Sequence, residues 1–402
     1  MNVVFLTLAR ISNIKEGGIY NDLMCKFIDE GHHVYIVAPF ERRFGFKTSL
    51  SISFGAHILY VKTLNIQKTN IIEKGLGILL LERQYKAAIN KYFKNITFDL
   101  ITYSTPPITF TNVVKYLKRK NPYAISYLQL KDIFPQNAVD IGMFSKKSLI
   151  YWYFRKKEVG LYRISDFIGC MSPANVDFVL KHNPDITPSC VEIAPNSLSL
   201  RNIDSVIAID EKAVREKYGL PQDRPIFIYG GNLGKPQGIP YLIECLDANS
   251  DREDCFFVII GSGTEYPNLK RWVCERKPNN VRVMEGLPKK EYDELVRACD
   301  VGLIFLDHRF TIPNYPSRLL SYLENKMPVL CATDPNTDIG SIAEENGYGY
   351  WCESVNPADF TALVDKMLKS NIKKMGENGF DFLKRNYLVE HTYQTIVKHI
   401  KQ

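Results

Sequence analysis

Long apolar runs are what this sequence lacks first: no stretch of its 402 residues approaches the roughly 20 apolar residues that cross a bilayer as a helix. The chain enters the short run Val3-Val4-Phe5-Leu6 with no basic region ahead of it, so the reading is a protein neither exported nor membrane-spanning. Paired cysteines are missing too. The nine present (Cys25, Cys170, Cys190, Cys245, Cys255, Cys274, Cys299, Cys331 and Cys352) are scattered, odd in number and never spaced Cys-x-x-Cys, as buried thiols of a reducing cytoplasm would be. Neither a disulfide framework nor a metal site is expected. Complete nucleotide fingerprints are also absent. Gly261-Ser262-Gly263 lacks the third glycine of a dinucleotide motif, which argues against a dehydrogenase. Gly230-Gly231-Asn232-Leu233-Gly234-Lys235 fails as a P-loop because Pro236 stands where Ser or Thr would hold magnesium.

What is present describes an ordinary globular chain, 45% hydrophobic and 24% charged, long enough for two domains. Its charge is uneven. Residues 1–200 hold 25 Lys+Arg against 15 Asp+Glu, whereas residues 201–402 hold 26 against 29. The basic half expects an anionic partner. Its cations come with apolar and aromatic neighbours, in Ile78–Lys86 (with Leu80 and Arg83) and in Tyr151–Lys157 (with Trp152 and Arg155). That mixture suits a helix lying on an anionic membrane better than a nucleic-acid surface, although an amphipathic core helix with a solvated basic face reads the same way.

Strands and helices alternate. Strand Val3–Thr7, a loop with Gly17-Gly18, helix Ile19–Glu30 and strand Val34–Ala38 begin a doubly wound parallel sheet. The paired glycines admit a ligand close to the backbone, or serve only the turn. Strand Ala124–Gln129 delivers Lys131-Asp132-Ile133-Phe134-Pro135 to the same sheet edge, where Asp132 is a candidate general base or sugar-hydroxyl acceptor, or else a turn cap. Residues 196–222 read as the crossing into a second α/β domain. There the glycine-rich strand ends form a cradle for a nucleotide diphosphate without a metal, and the two halves imply a cleft between them. The stretch Asn314–Leu330 opens with Pro316-Ser317, continues as an amphipathic helix of about a dozen residues with Arg318 in its first turn, and ends at Met327-Pro328. Free amides at that helix start and a forked cation suit a phosphate, though a surface arginine on one more helix is equally compatible.

Taken in order, Gly17-Gly18, Asp132-Ile133-Phe134-Pro135, Pro195-Asn196, Gly231-Asn232-Leu233-Gly234 with Gln237-Gly238, Gly261-x-Gly263, Asn280–Val283, Ala298–Leu303 and Pro316-Ser317-Arg318 with Tyr322 and Pro328-Val329 resemble the family-4 glycosyltransferases. They resemble most the bacterial branch that adds N-acetylfucosamine and related amino sugars to lipid-linked surface polysaccharides. The resemblance implies a GT-B fold of two Rossmann-like domains: residues 1–195 for the acceptor and membrane, 196–387 for the nucleotide sugar, and a helix in 388–402 crossing back. It implies that Lys235, Arg318 and the turn at Pro316 and Ser317 hold the donor diphosphate, and that the backbone at Glu285–Leu287 grips the base. Gly17 and Gly18 would pack on donor phosphate and acceptor, and Asn196, Gly231, Asn232, Gln237, Gly261, Gly263 and Ser321 would complete the donor site. Asn232 and Gln237 stand where the wider pattern has Arg and Lys, and Pro313 and Ser321 where it has two glutamates.

The resulting expectation is an enzyme on the inner face of the cell membrane. It would move an N-acetylated 6-deoxyhexosamine from a UDP carrier to an undecaprenyl-diphosphate-linked saccharide, with no metal, no other cofactor and no nucleic-acid partner. A UDP-sugar epimerase of the same architecture and a non-catalytic partner subunit are the alternatives.

Overall fold

The computed structural model describes residues 1–11, 13–66, 69–200 and 210–400; the middle of the expected crossing, 201–209, lies outside the described residues. The chain divides into two compact units, Met1–Ser199 with Leu388–Gln402, and Leu200–Tyr387. In chain order the first unit holds β1 (Asn2–Leu6), α1 (Ile19–Asp29), β2 (His33–Glu41), β3 (Ser49–Ser53), β4 (Ala56–Thr63), α2 (Ile71–Tyr92), β5 (Leu100–Ser104), α3 (Thr111–Lys120), β6 (Ile125–Gln129), α4 (Gln136–Asp140), α5 (Leu149–Ile164), β7 (Phe167–Cys170), α6 (Pro173–His182) and β8 (Val191–Ile193). The second holds α7 (Glu211–Lys217), β9 (Ile226–Asn232), α8 (Ile239–Ala248), β10 (Phe256–Ser262), α9 (Tyr266–Arg276), β11 (Val281–Glu285), α10 (Lys289–Arg297), β12 (Val301–Phe305), α11 (Arg318–Glu324), β13 (Val329–Thr333), α12 (Ile339–Glu345), β14 (Gly349–Glu353), α13 (Pro357–Leu368) and α14 (Ile372–Asn386). Helix α15 (Val389–Val397) returns to the first unit.

Each unit is a Rossmann-like α/β fold. The first sheet runs β3-β4-β2-β1-β5-β6-β7-β8 and the second β11-β10-β9-β12-β13-β14. All pairs are parallel except β3 against β4, where Ser49 faces Tyr60. Central parallel strands are covered on both faces, which is why Val3–Leu6, Ile226–Tyr229 and Val301–Phe305 read as continuous apolar runs and are fully buried. In the first core, Phe5, Leu23 and Phe27 pack with Val389, Tyr393 and Ile396 of α15. Leu198 bridges Leu388 in parallel, and the Thr392 hydroxyl donates to the Pro195 carbonyl at 3.3 Å.

Three local expectations change. The helix after Pro316 is seven residues long rather than about a dozen, because Lys326 adopts a positive φ of 53° and turns the chain into β13. Strand β3 was not expected: Ser49, Ser51 and Ser53 alternate with Leu50 and Ile52, and both apolar side chains are exposed on an edge strand. Helix α4 is too short to show a period.

Candidate active site

A doubly wound sheet opens a crevice where consecutive crossovers leave in opposite directions, at the carboxyl ends of the strands. In the second unit that point lies between β9, whose crossover leads to β10, and β12, whose crossover leads to β13. Arg318 follows β12, and its partners follow β9. Its Nη2 donates to Gln237 Oε1 at 2.7 Å, and its guanidinium carbon lies 4.2 Å from the centre of the Tyr229 ring. The Tyr229 hydroxyl donates to the Asn232 carbonyl at 2.7 Å, which fixes the loop that carries Gln237. Gly231, at φ 124°, lies alongside: a Cβ there would stand 3.7 Å from Arg318 Nη2. Below the cation, the Tyr322 hydroxyl donates to the Ile228 carbonyl at 3.1 Å and accepts from the Gly230 amide at 3.2 Å, tying β9 to α11. Arg318 Nη1 is buried without a hydrogen-bond partner. An arginine keeps its charge at any ordinary pH, so this is a half-buried cation with one donor edge unspent.

The first unit has the corresponding point between β1 and β5. The amides of Lys131 and Asp132 both donate to Thr105 Oγ1, at 2.9 and 3.0 Å, which holds the end of β6 against the end of β5. The two neighbouring side chains have different surroundings. Asp132 is exposed to solvent, yet desolvation by the surrounding protein pushes its carboxyl up to about 6. Burial also raises the Tyr20 phenol, with the Asp132 charge adding to it. Lys131 lies on the Cys170 side, and burial draws its ammonium down to about 7. Gly17 and Gly18 have φ values of 67° and 137° at the start of α1, and the space a Cβ would take at Gly18 is empty.

Residues 210–382 match the family described as Glycosyl transferases group 1. The second unit is a group 1 glycosyltransferase domain. The chain is 24% identical over 270 residues to a probable glycosyltransferase, WbjE, of Pseudomonas aeruginosa, covering 66% of each chain. It is 27% identical over 153 residues to a putative colanic acid biosynthesis glycosyl transferase, WcaI, of Escherichia coli strain K12, covering 37% of each. The alignments thus span just under two thirds of the first relative and about a third of the second. Among solved structures, Anabaena HepE in complex with UDP superposes with a TM-score of 0.68 at 13% identity, covering 100% of both chains. The architecture is GT-B, and the matched domain is of the glycosyltransferase class expected from the sequence.

Within the glycosyltransferase domain the expected donor residues divide by what they touch. Gln237, Gly231 and Arg318 come together, with the Asn232 backbone tied to the same loop, while Lys235 is exposed two residues from Gln237. Ser317 is exposed and Pro316 half-buried at the start of α11; that helix has fewer than two full turns, so its end carries little dipole, and the anion-directed feature is the guanidinium. Ser321 spends its carbonyl on the Asn325 side chain at 2.7 Å. Gly261 and Gly263 have a packing role instead: a Cβ on either would collide with backbone of the β9 segment, at Gly231 and Leu233. Glu285 is exposed at the end of β11 and Leu287 half-buried beyond it, with open space over Gly286. Asn196 lies in the first unit, after β8, with its Oδ1 buried and unpartnered.

Of the expected membrane residues, three are surface residues and one is not. Leu80, Arg83 and Trp152 are exposed. Arg155 is half-buried and committed, donating to Glu158 at 2.6 Å, to the His182 carbonyl at 2.8 Å and to Asn183 at 2.7 Å. It braces α5 against α6 and offers nothing to a headgroup. Sequence reasoning quoted Tyr322 and Lys131 within their motifs without giving either a role, and it passed over Tyr229. Tyr322 falls one turn after Arg318 and Tyr229 directly before Gly230, a spacing that could have marked them.

Proposed function

We propose that the protein transfers a sugar, an N-acetylated 6-deoxyhexosamine such as N-acetylfucosamine, from a UDP carrier to an undecaprenyl-diphosphate-linked saccharide in bacterial polysaccharide biosynthesis. The observation that carries the reading is the half-buried Arg318, whose Nη1 is buried without a partner at the switch point of the second unit. A diphosphate oxygen would fill that vacancy. The exposed Lys235 adds a second cation nearby, and the proposed reaction invokes no metal. The UDP-bound HepE structure and the colanic acid relative support the donor class and the pathway class.

In the reaction the bond from the anomeric carbon to the UDP phosphate breaks, an acceptor hydroxyl bonds to that carbon, and the hydroxyl proton leaves. Arg318 and Lys235 stabilise the charge that develops on the departing diphosphate. Retention, implied by the family resemblance, delivers the proton to a phosphate oxygen and leaves Asp132 to orient the hydroxyl. Inversion would assign the proton to Asp132, whose carboxyl near 6 suits a base at neutral pH.

Product analysis with a panel of UDP-sugars and lipid-linked acceptors tests the reading. Transfer is expected from one N-acetylated 6-deoxyhexosamine donor, and to fall about 10²–10³-fold in Arg318→Ala, the usual cost of one charge-stabilising donor. Undiminished transfer in both Arg318→Ala and Asp132→Asn would sink the site assignment, and release of an epimerised free sugar nucleotide would sink the reaction.

A further inference from the structure

The first unit contains a half-open cavity of about 240 Å³ that none of the foregoing uses, lined by residues of α4, α5 and α6. Its apolar walls are Ile133, Tyr151, Phe178 and Val179. Its polar lining is already paired. Glu158 accepts from Arg155 at 2.6 Å and from the Tyr162 hydroxyl at 2.9 Å, Arg155 also donates to Asn183, and Asn183 donates to the Val179 carbonyl at 2.8 Å. A guest therefore meets no unsatisfied donor or acceptor among those four groups, and its inner part gains most by being hydrocarbon.

The rim differs from the interior. Lys146 is exposed and, among the described residues, makes no ion pair; Trp152 beside it is 62% exposed. From there the outer face of α5 continues through Leu149, Ile150 and Tyr153, all exposed apolar side chains. Ile133, the residue after Asp132, also lines the cavity. One cavity thus links an apolar surface with a free cation to the segment that carries the candidate acceptor residue.

We propose that this cavity holds the first isoprene units of the polyprenyl-diphosphate-linked acceptor, with Lys146 on its phosphates. The proposal rests on the lipid-linked acceptor put forward above and gives it a place. The volume exceeds the 150 Å³ or so known to accept a benzene-sized guest, yet falls short of about 300 Å³, where sites for whole drug-sized ligands begin. It fits a segment of chain whose remainder stays in the bilayer.

Calorimetry on the full chain with farnesyl phosphate tests this. Saturable binding is expected, with none from inorganic phosphate at the same concentration. Lys146→Glu should weaken binding at least about fivefold, the worth of one interfacial cation, and Trp152→Ala should weaken it too. Lys156→Glu, on the same helix but outside the cavity lining, should not. In transfer assays Trp152→Ala should raise KM for an undecaprenyl-linked acceptor while kcat and KM for the UDP-sugar hold. Equal binding of inorganic phosphate, or an equal loss in Lys156→Glu, overturns the proposal in favour of surface electrostatics. If farnesyl phosphate fails to bind while lipid-linked acceptor is still glycosylated, the cavity assignment falls and the function stands; if it binds but no donor is consumed with any acceptor, the reverse holds.

Discussion

Asp132 and Arg318 are the side chains on which the proposed chemistry depends, and each makes a separate prediction. A carboxyl held near 6 by desolvation gives up its proton only above that pH. If it must be ionised, transfer should fall as pH drops through about 6, and Asp132→Asn should remove that limb of the profile along with most of the activity. Stability should show the opposite sign. Because the folded-state value lies above the 3.8 of an unfolded Asp, the native chain binds the extra proton between those pH values, and this group's contribution to stability declines from about pH 4 to pH 6. Urea titrations of wild type and Asp132→Asn across that window check it, with the variant showing the flatter curve. For Arg318 the informative change is to Lys. A point-charge ammonium cannot reach Gln237 and a phosphate together as the fork does, so Arg318→Lys should recover only a small part of the UDP affinity that Arg318→Ala loses, as calorimetry with UDP would show.

At the level of elements, the donor crevice depends on β9 and β10 approaching closely enough for Gly261 to pass over Gly231. Gly261→Ala places a methyl against the Gly231 carbonyl, and only a backbone shift relieves it. The expected cost is ~1–3 kcal/mol in urea denaturation, with UDP affinity lost as the loop moves; a variant as stable as wild type would show that the strands have slack. This explains how much the sequence disclosed. The alternation of strand and helix was legible because parallel strands buried on both faces are unbroken apolar runs, as in Val3–Leu6 and Val301–Phe305. Glycines at strand ends were legible as well. Their function was not: Gly231 faces a cation and Gly261 faces backbone, and one residue type serves both needs. Arg155 misled for a related reason, since a cation beside Trp152 on an amphipathic helix looks the same whether it faces lipid or Glu158. The length of α11 was hidden because the residue that stops it, Lys326, is an ordinary helix former placed at positive φ by the turn into β13.

Across the whole molecule charge is divided as function would require. The first unit, residues 1–199 with 388–402, carries 27 Lys+Arg against 16 Asp+Glu, and the second 24 against 28. Two helices of the first unit bear exposed apolar stripes at helical spacing, Leu76, Leu79 and Leu80 on α2 and Leu149, Trp152 and Tyr153 on α5, and the stripe on α2 continues into Arg83. Lys157 of α5 pairs with Glu82 of α2 at 3.7 Å, so the two helices are neighbours. An apolar stripe flanked by lysine and arginine adsorbs to an anionic bilayer by two additive effects, hydrocarbon insertion and attraction worth about 1 kcal/mol per cation. They respond differently to salt. Raising ionic strength from 0.1 M to 1 M shortens the screening length from about 10 Å to about 3 Å and removes only the second effect. Flotation with anionic vesicles should therefore be strong at low salt and reduced but not abolished at high salt. The double change Leu79→Glu and Leu80→Glu should lose the residual high-salt binding while UDP affinity stays at the wild-type value, because neither residue lies in the unit that carries Arg318. Equal flotation with uncharged vesicles would leave the basic excess of the first unit without this role, and a double variant that still floats at high salt would move the membrane contact off α2.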